Sequence, residues 1–316
     1  MVEPGSGGYV HDILFYSSDD ELLPVALPFL SEALDHDESV ILACRTHHNR
    51  LLTGALGDHP RLQVVPRVGT AGRPAEAIAQ SAAVFRRELR SGARRIRLMG
   101  EINFGATPRE WAWWSTWEAV ANLALANYPL WNVCLYHIER QPEGVLQLAR
   151  LTHPHVVTPD RERTANPHYV EPAEFLRQLP SIGPHVLEQT TPSFSTDDLT
   201  DLAELRRVAY GTALASTTFP ERQVEGFVHA LSEVASNALV HGRPPVEVRL
   251  WAAHDQLLST VVDHGGGFDD PLAGYVPLED RRMAPGHGLW LARRMCDHIE
   301  TAPTGDAFTV RLLTSR

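Results

Sequence analysis

The chain has 316 residues, 43% of them hydrophobic and 21% charged, which is enough apolar material for two domains with separate cores. Its 28 Lys and Arg residues against 39 Asp and Glu give a net charge of −11, which argues against a surface that binds nucleic-acid phosphates directly. Three widely separated cysteines, no signal-peptide pattern and no apolar run of the roughly 18 residues that span a membrane favour a cytoplasmic protein without membrane contact.

Residues 10–150 alternate short apolar runs with stretches of helical length and periodicity. The predicted strands are DILFYS, SVILACR, LQVVPR, RIRLMGEI and NVCLYHI. The predicted helices are Leu22–Leu34, Pro74–Ser91 and Pro108–Asn127. Strands that alternate with helices predict an α/β domain whose parallel sheet is covered on both faces.

The composition changes over residues 152–195, which are rich in Pro, Thr and His, with one short helix predicted near Pro172–Gln178. We therefore predict a first domain over 9–170, a connector over 171–195 and a second domain over 196–316. In the second domain, TDDLTDLAELRRVAYGTALAS predicts an N-capped amphipathic helix, and a second helix follows at Pro220–His241. The later segments predict strands PVEVRLWAA and QLLSTVVDHG, a Gly/Asp/Pro-rich loop, helix HGLWLARRMCD, and strands HIETAP and AFTVRLLT. This order predicts an α/β sandwich.

Three motifs in the second domain combine polar residues and glycines in an unusual order. LSEVASNALVHG, residues 231–242, places Glu233 and Asn237 one turn apart on one helical face. The apolar residues around this pair are expected in a core, namely Val234, Ala235, Ala238, Leu239 and Val240. VVDHGGGF then contributes Asp263, Gly265 and Gly267, and GHGLWLARRM opens a helix with Gly286 and Gly288. Each motif alone has an ordinary explanation as a turn or a solvated helix edge, but their order and spacing together indicate one site.

Together the motifs resemble those of the GHKL superfamily, whose Bergerat ATP-binding fold occurs in histidine kinases, Hsp90, gyrase and MutL. The resemblance covers residues 196–316 and implies ATP and Mg²⁺ as cofactors. It implies that Asn237 offers an amide oxygen to Mg²⁺ and that Glu233 is the general base. It also implies that Asp263 accepts a hydrogen bond from the adenine amine.

The same resemblance assigns the glycines and the lid. Gly265 and Gly267 would let the backbone approach the purine. Backbone N–H groups at a helix N-terminus would face the phosphates, from Gly286, His287, Gly288 and Leu289. Thr309 in AFTVRL matches a polar residue on the family's late strand, and residues 268–285 would form a mobile lid.

Within that superfamily, the domain resembles the anti-sigma-factor serine/threonine kinases, because a short helix without His leads directly into the Glu/Asn helix. The resemblance implies that the domain binds a sigma factor, and that an antagonist protein competes for it and is phosphorylated on Ser or Thr. It also implies a homodimer through the first helix. Departures are Asp269 and Asp270 beside the purine pocket and TGDAFTV in place of a Gly-Thr-Thr-like run. Two alternatives stay open: an autophosphorylating histidine-kinase-like sensor and a nucleotide-insensitive binding module.

The first domain carries acidic residues where a nucleotide-binding sheet would have a phosphate loop. FYSSDDELL follows the first strand, and its Asp19, Asp20 and Glu21 would repel phosphate. HDILFYSSDDELL, GEINF, NVCLYHIE and LTHPHVV resemble the MEDS sensory domain of methanogen and methylotroph regulators. The resemblance implies a RecA-like parallel sheet without a P-loop, which senses a small molecule.

Candidate ligand residues stand at the carboxyl ends of the predicted strands, where open parallel sheets form their crevice. They are Tyr16, Ser17, Arg45, Glu101, Asn103 and His137. Each also has a structural explanation, such as packing for Tyr16, an ion pair for Arg45 and a helix cap for Glu101.

Two Cys/His pairs have a spacing that occurs in zinc sites. Cys44 and His47, like Cys134 and His137, are three residues apart. Residues three apart in a strand point to opposite faces, so we expect no metal site from the second pair. We expect His153, next to Pro154, to be a turn residue, and His155 likewise.

Overall fold

The computed structural model describes residues 8–69, 74–179, 183–267, 270–275 and 287–315. The chain folds as two compact units, Met1–Leu179 and Pro180–Arg316. The predicted connector is divided between them, because its helix at Pro172–Gln178 belongs to the first unit. None of the helices in the described ranges is both long and apolar enough to cross a membrane.

The first unit is a sheet covered by helices on both faces. Its strands are β1 (Tyr9–Tyr16), β2 (Ser39–Ala43), β3 (Leu62–Val64), β4 (Ile96–Gly100), β5 (Leu130–His137), β6 (His155–Val157) and β7 (Arg163–Ala165). Its helices are α1 (Asp19–Asp35), α2 (Thr46–Leu56), α3 (Pro74–Arg90), α4 (Pro108–Ala124), α5 (Glu143–Thr152) and α6 (Pro172–Gln178). The strand order is β3-β2-β4-β5-β1-β6-β7, and only the β6–β7 pair is antiparallel. The predicted mostly parallel α/β fold is confirmed.

The central strands β1 and β5 determine which residues face each helical layer. They pair in parallel, with His11 opposite Asn132 and Ile13 opposite Cys134. Side chains alternate along a strand, so Leu14 and Leu135 pack into the core beneath α1. The alternate residues face α4 on the other side of the sheet. Every residue of β5 is buried, as expected for a parallel strand covered on both faces.

The second unit is a two-layer sandwich of helices on an antiparallel sheet. Its helices are α7 (Leu202–Ser216), α8 (Glu221–His241) and α9 (His287–Met295), and a short 3₁₀ helix lies at Val186–Gln189. Its strands are β8 (Phe194–Thr196), β9 (Glu247–Ala253), β10 (Gln256–Asp263), β11 (His298–Thr304) and β12 (Ala307–Ser315). The strand order is β11-β12-β10-β9-β8. The predicted α/β sandwich is confirmed, and β8 adds an edge strand that no sequence pattern indicated.

The helix α8 supplies much of the core between the layers. Val234, Ala235 and Ala238 lie in one hydrophobic cluster with residues of α7, α9 and the sheet. The expectation of a buried position was wrong for Leu239 and Val240, whose side chains are 39% and 69% exposed. They lie outside the apolar stripe, which recurs every three to four residues along one side of a helix.

Candidate functional site

The three motifs of the second unit meet in one cleft. The cleft lies between α8, the end of β10, the first turn of α9 and β12. Its lining comprises Val234, Asn237, Ala238, His241, Gly242, Asp263, Gly267, Leu289, Phe308 and Val310. Four of these residues were predicted from the sequence, one or more from each motif, so segments far apart in the chain converge as expected.

Close packing between α8 and α9 brings the predicted base to the start of α9. A Cβ placed on Gly288 would lie 2.6 Å from Glu233 Oε2 and 3.8 Å from Asn237 Nδ2. Glu233 is 35% exposed, and His229 on the preceding turn lies 3.8 Å from its other oxygen. The first N–H groups of a helix have no partner within that helix, and the first turn of α9 therefore brings such donors close to Glu233 and Asn237.

Glycines surround Asp263, whose side chain is 7% exposed. Its Oδ1 accepts a hydrogen bond of 2.7 Å from the backbone N–H of Gly265. A Cβ on Gly242 would lie 2.5 Å from Asp263 Oδ1, and one on Gly265 would lie 2.7 Å from it. Gly267 has a φ of +71° and packs against the ring of Phe308, so this position favours glycine for both conformation and space.

The structure does not bring Thr309 into the cleft. In the β10–β12 pair, Asp263 stands opposite Phe308 and Val262 stands opposite Thr309. Because strand side chains alternate, Phe308 and Val310 point into the cleft and Thr309 faces the other side of the sheet. The expected phosphate contact from the Thr309 side chain is therefore corrected: Phe308 is the β12 residue beside Asp263.

Four of the cleft residues were not singled out from the sequence, namely His241, Gly242, Phe308 and Val310. His241 and Gly242 directly follow the Asn237 motif, and their place at the end of α8 could have indicated them. Phe308 lies in the run already noted as a departure. Gly286 lies outside the described residues, as does most of the predicted lid; of that lid, only 270–275 is described. His287 is described as the first residue of α9.

The chemistry of the cleft fits a magnesium nucleotide. Asn237 supplies an amide oxygen of the type that hard cations prefer, and Asp263 supplies a carboxylate for a hydrogen-bond donor. A Cβ at Gly242, Gly265 or Gly288 would lie 2.5–2.7 Å from the Asp263 or Glu233 carboxylate, so these positions leave space only for glycine beside the two acidic side chains. The cavity has a volume of about 40 Å³, and the Phe308 ring is packed against Gly267.

In the first unit, five of the predicted ligand residues share a polar cavity of about 160 Å³. Its lining includes Tyr16, Arg45, Glu101, Asn103 and His137. Ser17 is not part of that lining; its N–H and hydroxyl donate to Glu21 Oε2 at 2.7 and 2.8 Å. The Glu21 carboxylate thus binds the backbone and hydroxyl of the segment after β1, which is where a phosphate loop would bind an anion.

Three polar side chains of this cavity, Tyr16, Arg45 and Glu101, are paired with one another. Arg45 Nε donates to Glu101 Oε2 at 2.6 Å, and Arg45 Nη2 donates to the Tyr16 hydroxyl at 3.1 Å. Burial alone would raise the pKa of Glu101, but hydrogen bonding to His48 and the charge of Arg45 bring it below its usual value. Burial, followed by the charge of Glu101, raises the pKa of Tyr16. The structure thus shows the ion pair that was the structural explanation for Arg45, with Glu101 as its partner.

A larger cavity of about 460 Å³ lies on the α3 and α4 side of the sheet. Apolar side chains form much of its wall, including Ile41, Val84, Phe85, Leu98 and Leu130. Asn132 and Trp117 also line it. Within the described part of the chain, Asn132 Oδ1 and Trp117 Nε1 are buried without a hydrogen-bond partner. No sequence pattern pointed to this cavity.

The two histidines near Pro154 have different positions. His155 lies in β6, and His153 is fully buried after the end of α5. The expectation that His153 is a turn residue was wrong: it directly follows α5, and its side chain points into the interior of the domain. Cys134 and His137 do point to opposite faces, since Cys134 contacts His11 and His137 lines the polar cavity.

The sandwich and its cleft define an ATPase-like domain in the second unit, and the covered parallel sheet defines an α/β sensor-like domain in the first. Residues 195–312 match the family described as "Histidine kinase-like ATPase domain". Residues 10–154 match the family described as "MEDS: MEthanogen/methylotroph, DcmR Sensory domain". The chain therefore carries a MEDS domain followed by a histidine kinase-like ATPase domain.

Comparison with individual proteins adds little to this assignment. A search of curated proteins found no match. Among solved structures, the chain is similar to the RsbU and RsbW domains of Rv1364c from Mycobacterium tuberculosis, with 14% identity and a TM-score of 0.29. The match covers 40% of this chain and 32% of that chain, so the present chain spans about a third of that protein's length. A similarity this low carries no argument about function.

Proposed function

We propose that this protein is a signalling regulator whose MEDS domain binds a small molecule and thereby sets the activity of an ATP-binding, kinase-like domain. The observation that carries the proposal is the convergence of Asn237, Asp263 and the first turn of α9 on one cleft. Each of these groups suits a different part of a nucleotide. A ligand can regulate the output only if it binds two conformations of the protein with different affinity.

In the proposed complex, each part of the cleft has one task. Asp263 accepts from the adenine amine, while Gly265 and Gly267 allow the purine close to the backbone. The N–H groups at the start of α9 face the phosphates, and Asn237 holds Mg²⁺. When bound there, Mg²⁺ would supply positive charge that offsets the charge of the phosphates. Glu233 takes the proton of the attacking hydroxyl.

We propose protein serine/threonine kinase activity of the anti-sigma-factor type as the output, with a sigma factor or its antagonist as the partner. The motif resemblance supports this choice, and so does the position of α7, a helix of only 15 residues that directly precedes α8. A histidine-kinase output requires a phospho-acceptor helix upstream, and α7 contains no histidine.

For the sensor, we propose that the ligand occupies the larger cavity of the MEDS domain. Its wall is mainly apolar, whereas the polar groups around Arg45 and Glu101 already satisfy one another. Asn132 Oδ1 offers an acceptor and Trp117 Nε1 offers a donor inside an apolar wall. A small apolar molecule that carries one hydroxyl group matches this combination, since a hydroxyl both donates and accepts.

Radiolabelled ATP tests the proposed output. The full chain is incubated with Mg²⁺, labelled ATP and proteins captured on it from its native cytoplasm. Acid-stable label on a captured protein supports a serine/threonine kinase, whereas acid-labile label on the chain itself supports histidine autophosphorylation. Absence of label, with capture unaffected by ATP, would reduce the domain to a nucleotide-insensitive binding module.

Two variants of α8 separate binding from turnover. Asn237→Ala should weaken Mg-ATP binding by about tenfold or more, because contacts to charged groups are worth about 1.5–3 kcal/mol. Glu233→Gln should retain ATP but lower turnover by about 10²–10⁴-fold. Glu225→Ala, an exposed residue of the same helix, is the matched control. Unchanged turnover in Glu233→Gln would remove Glu233 as the base.

A further inference from the structure

We propose that the MEDS domain holds a zinc ion between four buried side chains: His11, Glu118, Cys134 and His153. None of the four residues is proposed above to contact the sensed molecule or the nucleotide, so the site does not depend on either proposal. The four residues come from β1, α4, β5 and the end of α5. One ligand atom from each lies within 4.8 Å of all the others.

Two of the distances between these atoms are close to those of a tetrahedral metal site. His11 Nε2 lies 3.3 Å from Cys134 Sγ, and His153 Nε2 lies 3.4 Å from Glu118 Oε1. Zinc bonds of about 2.0–2.1 Å to nitrogen or oxygen and about 2.3 Å to sulfur place neighbouring ligands about 3.3–3.6 Å apart. The four side chains are at most 3% exposed, so the site is enclosed by the protein.

Outer hydrogen bonds orient both imidazoles with Nε2 toward the centre. His153 Nδ1 donates to the carbonyl oxygen of Ala149 at 2.8 Å. His11 Nδ1 bonds to Asn122 Oδ1 at 3.0 Å, and Asn122 is itself oriented because its Nδ2 donates to the carbonyl of Thr152 at 2.9 Å. Metal-bound histidines commonly show this arrangement, in which an acceptor fixes the tautomer that leaves the other nitrogen for the metal.

The two anionic ligands are supported in the same way. Glu118 Oε2 accepts from the hydroxyls of Tyr136 at 2.5 Å and Thr152 at 3.3 Å, which leaves Oε1 toward the centre. Asn132 Nδ2 donates to Cys134 Sγ at 3.2 Å. Hydrogen bonds to a thiolate and to the outer oxygen of a carboxylate hold both ligands in place.

Two central atoms, Glu118 Oε1 and His153 Nε2, face each other at 3.4 Å. Among the residues that the structure describes, neither Glu118 Oε1 nor His153 Nε2 makes a hydrogen bond, although both are buried. A buried carboxylate without a cation is strongly unfavourable. A divalent ion would contact both atoms, and its charge would balance one carboxylate and one thiolate.

The donor set favours zinc among common ions. Two imidazole nitrogens, one sulfur and one oxygen suit zinc, whereas Mg²⁺ and Ca²⁺ prefer oxygen ligands alone. Four protein ligands complete a tetrahedral shell, which is typical of a structural site. A cysteine binds a metal ion as its thiolate, so metal binding forms a metal–sulfur bond and releases the thiol proton to solvent.

Cobalt binding to the full chain tests this site. Metal is removed with a chelator at neutral pH, and Co²⁺ is added while the absorption spectrum is recorded. We expect about one equivalent to produce the visible bands of tetrahedral cobalt and a near-ultraviolet sulfur-to-cobalt band, both abolished by added Zn²⁺. The unmodified chain carries this test, so it does not depend on a variant that folds. Absence of the sulfur band would overturn the proposal.

Matched variants identify the sulfur and exclude another cluster. Cys134→Ser should lose the sulfur band, and Cys44→Ser should keep it, because Cys44 donates to the carbonyl of Met99 elsewhere in the sheet. Asp19, His47 and His48 form a second group close enough to hold a cation, but it contains no sulfur. His47→Ala should leave the band unchanged. A band lost in Cys44→Ser and kept in Cys134→Ser would place the metal elsewhere.

Discussion

Asp263 and Phe308 stand directly opposite each other on antiparallel strands, and both side chains line the same cleft. The phenyl ring also packs against Gly267. The aromatic ring of Phe308 therefore lies beside the carboxylate proposed to recognise adenine. A smaller side chain at this position would leave more space for the purine. The size of the Phe308 ring should limit how easily a purine enters.

Phe308→Thr should bind ATP more tightly than the unmodified protein, by several-fold, because it enlarges the cavity beside Asp263. It should also lose about 1–3 kcal/mol of stability, since a half-buried ring is removed. Isothermal titration and urea unfolding measure the two effects. Thr309→Val, on the other face of the sheet, should leave ATP affinity unchanged. Equal or weaker ATP binding by Phe308→Thr would contradict the proposed role of the ring.

Gly288→Ala should slow turnover with little cost in stability. The added methyl group would meet the end of the Glu233 side chain, a flexible group that can turn aside. The fold then tolerates the change, but the proposed base leaves its position. Gly211→Ala is the control, because its Cβ would meet nothing within 4 Å in α7 and should stabilise the helix by up to about 1 kcal/mol. Full turnover in Gly288→Ala would contradict the proposed role of Glu233 as the general base.

Cyclohexanol is a suitable probe of the 460 Å³ cavity, because it joins an apolar ring to one hydroxyl group. We expect it to raise the melting temperature by a few degrees, as binding to the folded state does. Val84→Trp fills the cavity and should abolish the increase, whereas Arg45→Ala, in the polar cavity, should keep it. The reverse pattern would assign the ligand to the polar cavity.

Asn132 joins this cavity to the proposed metal ligands. It lines the cavity and donates to Cys134 Sγ. In the cobalt-loaded protein, cyclohexanol should therefore shift the sulfur-to-cobalt band, because any change at Asn132 alters the hydrogen bond to the sulfur. A spectrum that does not change while the melting temperature rises would show that the two sites are independent.

Glu101 should make the stability of the MEDS domain depend on acid pH. Its pKa in the folded protein is below its usual value, to which the unfolded chain returns at about 4.3. The unfolded state thus binds the proton more readily, so this stabilisation is present above that pH and is lost as pH falls through the folded-state pKa. The free energy of unfolding of the unmodified protein and of Glu101→Gln should therefore converge toward low pH. Glu139→Gln controls for the loss of one surface carboxylate, and a constant difference would contradict the assignment.

Local patterns predicted most elements because those elements bury a regular face. The fully buried β5 and the apolar stripe of α8 are examples. The helix α2 gives only a weak periodic signal, because it buries just two residues, His48 and Leu52. The strand β8 has three residues, which is too short for any alternation to be recognised.

The sequence by itself determined the two α/β architectures, since the periodicity of each element is a local property of the chain. The order and spacing of the Asn237, Asp263 and α9 motifs indicated one site. Only the tertiary structure decided that Phe308 rather than Thr309 faces Asp263, because that depends on the register of β10 against β12. It also decided that Cys134 meets His11, 123 residues away, rather than the nearby His137. The period of a strand indicates which residues share a face, but the pairing of β1 with β5 determines which distant side chains meet there.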